Sequence, residues 1–246
     1  MPNFCVILAA AGKSSRFNDA YFKKPFAILN GKAVWLHSAE LFLKRQDVKQ
    51  LILVIASEDR TEFTEKFGAN VAIHGIDIVI GGAERSDSVQ NALDKVRPEI
   101  DYVAIHDAAR PCIDDRMVEE VFAAAVEYQI AVPTVPVHST LKRSADGLFV
   151  DQTVDRSNLY LSQTPQVFSR SLLEQMFADR GDAQPTDEAQ LAEQQGQAVA
   201  MVEGSRLNIK ITTQDDLKLA AAFIKAMPAP KFDAPIHPFK DDHLWR

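Results

Sequence analysis

The sequence predicts an α/β protein: a Rossmann-like, mostly parallel twisted sheet with helices on both faces, plus an extended β-hairpin arm. Short runs rich in Val and Ile, typical of buried parallel strands, alternate with segments whose apolar residues recur at helical spacing. A polar SADG turn between two strand-like runs predicts the arm, at residues 138–160. We expect a single domain over residues 1–226, followed by a Pro-rich tail at 227–246.

The elements follow from local periodicity and capping signals. Strands are predicted at residues 4–10, 51–56, 76–80, 102–106 and 130–137, and again at 198–203 and 207–211. Helices are predicted at 34–43, 85–96, 114–128 with Asp114 as N-cap, 186–192 with Thr186 as N-cap, and from a Thr213–Asp216 capping box to Ala226.

Composition argues against several classes of protein. A net charge of -7 argues against general binding of nucleic acid, which needs a basic surface. No apolar run reaches the roughly 20 residues of a membrane helix, so no membrane association is expected. Cys5 and Cys112 are too few for a disulfide framework or a zinc site. The apolar N-terminal run has no basic residues before it, which argues against a signal peptide, and a reducing cytoplasm fits best.

The first strand leads into a candidate phosphate-binding loop, residues 9–24. Ligands of open α/β sheets bind beyond the carboxyl ends of the strands, and small residues let backbone N–H groups approach a phosphate. Arg16 and Lys24 add positive charge. A Walker A loop would need glycine where Ile7 stands, and the dinucleotide motif GxGxxG is missing. On the loop alone, a strand-to-helix turn with solvated cations stays equally open.

Three further blocks stand where strands end, GGAERSDSV at 81–89, HDAARP at 106–111 and TPQ at 164–166, and a fourth block, VDR, stands at 154–156. With the AAAGKSSRF block, this set resembles the 2-C-methyl-D-erythritol 4-phosphate cytidylyltransferase family of the non-mevalonate isoprenoid pathway, in order from about residue 5 to 219. The resemblance implies transfer of the cytidylyl group of CTP to 2-C-methyl-D-erythritol 4-phosphate by in-line attack on the α-phosphate. It also implies Mg²⁺ or another divalent cation as cofactor, and pyrophosphate as the second product.

The resemblance assigns roles that physical chemistry supports. Cations stabilise charge that develops on the transferring phosphates, and Mg²⁺ prefers one or two carboxylates with phosphate oxygens. The catalytic residues would be Arg16, Lys24 and Lys210, and the metal ligand Asp107. The nucleotide would be bound by Ala10, Ala11, Gly12, Gly81, Gly82, Ala83 and Ser88. The sugar phosphate would be bound by Arg110, Thr140, Arg156 and Thr164.

Simpler interpretations stand beside several of these roles. Asp107 could cap a helix, Ser88 could face solvent on a helix, and Lys210 could protect an edge strand. In the family, the arm at 138–160 crosses to a second subunit, which predicts a homodimer in which Thr140 and Arg156 complete the partner's pocket. The alternative is an ordinary surface hairpin.

The chain departs from the family pattern at three points. The order Lys23-Lys24-Pro25 replaces a proline that precedes the catalytic lysine, so Lys23 competes with Lys24 for that role. Ser139 and Ala83 stand where the family commonly has Asp, which bears on selectivity.

Two other functions remain as alternatives. One is a cytidylyltransferase for ribitol 5-phosphate or another polyol phosphate. The other is a nucleotide-binding protein without turnover, against which the joint presence of Arg16, Lys24, Asp107 and Lys210 argues.

Overall fold

The computed structural model describes residues 1–12 and 24–226, with Lys24 described by its backbone. The strands are β1 Phe4–Ala9, β2 Ile28–Leu29, β3 Lys32–Ala33, β4 Val48–Ile55, β5 Asp77–Ile80, β6 Tyr102–Asp107, β7 Ile130–Pro136, β8 Leu141–Arg143, β9 Gln152–Val154, β10 Tyr160–Ser162, β11 Gln166–Ser169 and β12 Ala200–Glu203. The helices are α1 Val34–Leu43, α2 Arg60–His74, α3 Arg85–Leu93, α4 Asp115–Tyr128, α5 Arg170–Ala178, α6 Glu188–Gln194 and α7 Gln214–Ala226.

Eight of these strands form one mixed sheet in the order β10-β7-β11-β6-β1-β4-β5, with β12 also paired to β7. The pairs of β1 with β4 and β6, of β4 with β5, and of β12 with β7 are parallel, whereas β10 and β11 run antiparallel to their neighbours. Ala9 lies beside both Asp107 and Val54, so the carboxyl ends of β1, β4 and β6 meet at one edge. The predicted fold class is confirmed.

Strand β1 shows why the sheet is covered on both faces. Its successive side chains point to opposite faces, and all from Phe4 to Leu8 are buried. Phe4, Val6 and Leu8 pack in one cluster with α1 and α4, while Cys5 and Ile7 pack in another with α3, α5 and α6. A third cluster joins α7 to β2 and to Cys112. Among the described residues, no helix is both long enough and apolar enough to span a membrane.

Capping signals in the sequence locate two helices correctly. The Asp114 carboxylate accepts a hydrogen bond from the backbone N–H of Met117 at 2.8 Å, as the N-cap of α4. Before α7, the Thr213 N–H donates to Asp216 at 2.8 Å and the Asp216 N–H donates to the Thr213 hydroxyl at 3.2 Å, which completes the predicted capping box.

Two local predictions were wrong. The N-cap of α6 is Asp187, not Thr186: the Asp187 carboxylate accepts from the Gln190 N–H at 2.9 Å, while the Thr186 hydroxyl bonds to the Gln190 side chain. Residues 207–211 form no strand, although their polar and apolar residues alternate. There the Asn208 N–H closes a turn on the Ser205 carbonyl at 3.1 Å, and its buried amide donates to the Thr164 carbonyl at 3.0 Å.

The segment 138–160 contains a short antiparallel ribbon. Strands β8 and β9 pair with Leu141 opposite Val154 and Arg143 opposite Gln152. At the turn, the Asp146 carboxylate accepts from the N–H groups of Leu148 and Phe149. Its role in a dimer stays a prediction, and residues 13–23 and 227–246 lie outside the described part of the chain.

Candidate functional site

The candidate site forms at the sheet edge where β1, β4, β5 and β6 end. Asp107 is the last residue of β6, and its neighbour in register on β1 is Ala9, which leads into the loop that begins at Ala10. The backbone of that loop is held to the sheet by bonds from Ala10 N–H to Val54 and from Ala108 N–H to Ala9. Parallel strands therefore bring two of the predicted blocks together from distant parts of the sequence.

Asp107 is a buried carboxylate surrounded by cations. Its Oδ2 accepts from Lys210 Nζ at 2.9 Å and from Arg110 Nε at 3.2 Å. Burial alone would raise its pKa, but the charges of Lys210, Arg85 and Arg110 hold the pKa of Asp107 well below its ordinary range. Asp107 is therefore ionised at pH 7, and it serves as a charge centre rather than as the helix cap of the simpler interpretation.

Asp107 fits a divalent cation that takes most of its ligands from substrate phosphates and water. Within the described ranges no group of three or more His, Cys, Asp or Glu side chains could hold a metal by itself. Mg²⁺ commonly binds through one or two carboxylates, substrate phosphates and water. An ionised carboxylate that is held in place by Lys210 and Arg110 meets that requirement, and the metal contact itself stays a prediction.

Thr164 and His106 lie directly behind Asp107. The Thr164 hydroxyl oxygen accepts from the Asp107 N–H at 3.0 Å and lies 3.0 Å from His106 Nδ1, while His106 Nε2 lies 3.1 Å from the Arg110 carbonyl oxygen. Burial lowers the pKa of the His106 imidazole to about 4, so the ring is neutral at pH 7. The predicted contact of Thr164 with a sugar phosphate remains a prediction.

Arg110 and Lys210 are brought to the same carboxylate from separate segments. The Arg110 guanidinium also donates to the Asn208 carbonyl at 2.9 Å, which fixes its orientation. Lys210 follows the turn at Asn208 and is about half exposed, so it reaches Asp107 without belonging to a strand. The edge-strand interpretation of Lys210 is therefore excluded.

The second part of the site is the turn at Gly81 and Gly82. A Cβ on Gly81 would lie 2.7 Å from both Ala11 Cβ and Ser88 Oγ, and a Cβ on Gly82 would lie 2.4 Å from Asp87 Cβ. The buried Ser88 hydroxyl accepts from the Gly82 N–H at 3.1 Å and donates to the Glu84 carbonyl at 3.0 Å. Ser88 therefore supports the turn and does not face solvent.

The nucleotide-binding assignments converge in space. Ala11 approaches Gly81 closely, so the loop after β1 and the turn after β5 form one surface. On that surface Ala10 is buried, Ala11 is partly buried, and Gly12 and Ala83 are exposed. Their contacts with a nucleotide remain predictions.

Other assigned residues flank the ribbon or lie outside the described part of the chain. Thr140 precedes β8 and Arg156 follows β9; both are exposed, and the Arg156 guanidinium donates to the His138 carbonyl. Arg16 and its neighbours lie outside the described residues, as does Lys23. Lys24 opens a short 3-10 helix, Lys24–Phe26.

Sequence reasoning missed an ion pair between Arg85 and Glu188. These side chains join the start of α3 to the start of α6, and Glu188 is fully buried. Burial raises the pKa of Glu188 despite the adjacent guanidinium. Arg85 also contributes to the field at Asp107. The sequence marks each residue separately: Arg85 lies in the GGAERSDSV block, and Glu188 follows a helix cap.

Comparisons with known proteins agree over nearly the whole described chain. Residues 4–226 match the family model described as 2-C-methyl-D-erythritol 4-phosphate cytidylyltransferase. Proteins of that name from Rhodopirellula baltica and Bacillus mycoides are 40% and 39% identical, covering 89% and 90% of this chain and 93% and 97% of theirs. A crystal structure of that name from Thermus thermophilus superposes with a TM-score of 0.75 at 29% identity, covering 92% of this chain and all of that one.

The glycine turn predicts opposite effects for two glycine substitutions. Gly82→Ala should lower the free energy of unfolding by about 1–3 kcal/mol, because the new Cβ would overlap Asp87. Gly68→Ala, inside α2 with its nearest neighbour 3.7 Å away, should raise it by about 0.5–1 kcal/mol. Urea unfolding of both variants measures the difference; equal stability of Gly82→Ala and the wild type would show that the close approach is not a constraint.

Proposed function

Because the chain belongs to the 2-C-methyl-D-erythritol 4-phosphate cytidylyltransferase family, we propose that it joins CTP and 2-C-methyl-D-erythritol 4-phosphate, releasing pyrophosphate. The observation that carries the proposal is the ionised Asp107, held by Lys210 and Arg110 beside the glycine turn. A carboxylate that suits a metal ion and two cations that can bind phosphate meet at this point. Such a centre fits a reaction between two substrates that both carry phosphate groups.

The reaction requires positioning and charge stabilisation more than proton transfer. A phosphate oxygen of the acceptor attacks the α-phosphorus of CTP, and the bond from that phosphorus to the bridging oxygen breaks in line, so pyrophosphate leaves. Asp107 would hold Mg²⁺, which would supply positive charge to the substrate phosphates when bound. Lys210 has three N–H donors, of which one reaches Asp107, so the same ammonium group can also donate to a phosphate.

The glycine turn supports a preference for cytosine. The Gly81 N–H donates to the Ile55 carbonyl at 2.9 Å and the Gly82 N–H donates to Ser88, so both donors are already used. The backbone carbonyl oxygens of the turn are then the groups that can form hydrogen bonds with a base. They accept from the amino group of cytosine, and uracil has no such donor at that position.

Arg16 and Lys24 complete the proposed triphosphate site, and Lys23 remains the rival of Lys24. On the acceptor side we assign the sugar phosphate to Arg110, Thr140 and Arg156. Thr164 would lie behind them, because its hydroxyl group is already bonded to the Asp107 N–H and to His106 Nδ1. An arginine can bind a phosphate through two parallel N–H donors, which supports Arg156 in this role. The proposed location of the enzyme is the cytoplasm.

We also propose that the ribbon is a dimer contact. Its tip exposes three consecutive apolar side chains, Leu148, Phe149 and Val150, at 81%, 75% and 61%. A cluster of exposed apolar side chains commonly marks an interaction site. In the dimer, Thr140 and Arg156 would complete the partner's site.

A substrate panel tests the reaction. We expect pyrophosphate release from CTP only with both Mg²⁺ and 2-C-methyl-D-erythritol 4-phosphate present, and slower release with UTP or with ribitol 5-phosphate. A coupled pyrophosphate assay measures each rate. Equal or faster turnover of ribitol 5-phosphate would favour the alternative polyol-phosphate cytidylyltransferase, and tight CTP binding without any turnover would favour a non-catalytic nucleotide-binding protein.

The ribbon can be tested with two matched apolar-to-acidic substitutions. Phe149→Asp should weaken self-association at least about tenfold and raise KM for the acceptor, because a charge replaces buried apolar surface at the interface. Ile73→Asp, on α2 and 78% exposed, is the control and should change neither. Sedimentation velocity and steady-state kinetics report the two effects. A fully active, monomeric wild type would contradict the dimer contact.

A further inference from the structure

We infer that His106 is a positioning residue that holds the metal-side and acceptor-side groups of the site in fixed relation through its two ring nitrogens. The inference rests on the proposed function, in which Asp107 faces the metal and Arg110 the acceptor phosphate. His106 is completely buried, so it acts through its neighbours and not by contact with substrate.

The hydrogen bonds of His106 have one consistent direction. The Arg110 carbonyl can only accept, so Nε2, 3.1 Å away, carries the ring proton. With the ring proton on Nε2, Nδ1 is an acceptor, so the Thr164 hydroxyl donates its proton to Nδ1 at 3.0 Å while its oxygen accepts from the Asp107 N–H at 3.0 Å. Donation therefore runs from the Asp107 backbone through Thr164 and His106 to the Arg110 backbone.

This chain of bonds spans the turn that carries both functional side chains. The Arg110 N–H donates back to the Asp107 carbonyl at 3.0 Å, which closes the turn. The Ser38 hydroxyl, on α1, donates to the Arg110 carbonyl at 3.2 Å from the same buried side. Small displacements of reacting groups cost large factors in rate, so a fixed turn of this kind has a functional value beyond stability.

The imidazole ring meets two requirements at once. It presents an acceptor at Nδ1 and a donor at Nε2, on either side of one ring carbon in a rigid plane. The ring packs edge-on against Phe42 with centroids 5.4 Å apart. Asparagine can supply a polar atom near the Nδ1 position only, and glutamine near the Nε2 position only. The two bonds can therefore be removed one at a time.

Three variants separate positioning from packing. His106→Gln keeps a donor for the Arg110 carbonyl but leaves the Thr164 hydroxyl without its acceptor, so we expect kcat to fall at least about tenfold with KM for the acceptor little changed. His106→Asn keeps the Thr164 contact and loses the Arg110 contact, so we expect KM for the acceptor to rise at least about tenfold with the smaller effect on kcat. Phe42→Leu removes packing on the same ring and should lower the melting temperature without changing either constant.

The outcomes distinguish this inference from the proposed function. Absence of turnover by the wild type would contradict the proposed function alone. Long-range ¹H–¹⁵N spectra of the wild type test the hydrogen-bond direction without any activity, and we expect a neutral His106 ring protonated at Nε2. A ring protonated at Nδ1 would overturn the inference. The inference would also be overturned if His106→Gln and His106→Asn changed kcat and KM no more than Phe42→Leu does.

Discussion

The ionised carboxylate of Asp107 is the constraint on which the site depends. Removing a charge from water is costly unless partners compensate for it, and here Lys210 and Arg110 both donate to the same oxygen while Arg85 adds to the field. These cations come from three separate segments of the chain. The sheet supplies the fixed point at which they meet, because β6, which ends at Asp107, lies inside the sheet between β1 and β11.

The same constraint explains why the turn behind Asp107 is so fully bonded. A carboxylate that balances several cations must stay in one place, and the backbone of Asp107 is held by Thr164 while its partner Arg110 is held by Asn208 and His106. The Arg85–Glu188 pair extends this order to the start of α6. In the proposed reaction, the nucleotide side and the acceptor side would thus be linked through side chains that do not themselves carry out the reaction.

Much of the architecture could be predicted from the sequence because its signals are local. Buried parallel strands appear as continuous apolar runs, and the caps at Asp114 and Thr213 mark helix starts within a few residues. Helix α2 gave a weak signal, since Phe63 is its only fully buried side chain among the described residues. The wrong prediction of a strand at 207–211 rested on alternating polar and apolar residues. In the structure these residues form a turn in which Asn208 is buried, and its long-range bond to the Thr164 carbonyl explains that burial.

For the site, the sequence predicted which residues lie together better than how they interact. The resemblance placed Asp107, Lys210 and Arg110 in one site, and the structure brings all three together. It did not indicate that Ser88 uses its hydroxyl to hold Gly82, or that His106 connects Thr164 to Arg110, because these bonds depend on the relative positions of elements far apart in the chain.

Turnover by Asp107→Asn tests the account most directly. Asparagine keeps the shape of the side chain but removes its charge, so Lys210 and Arg110 lose their common anion and a divalent cation loses its carboxylate. With the fold verified by circular dichroism, we predict that kcat falls at least about 100-fold and that raising Mg²⁺ does not restore it. Turnover of Asp107→Asn close to the wild-type rate, at the same Mg²⁺ concentration, would contradict the account.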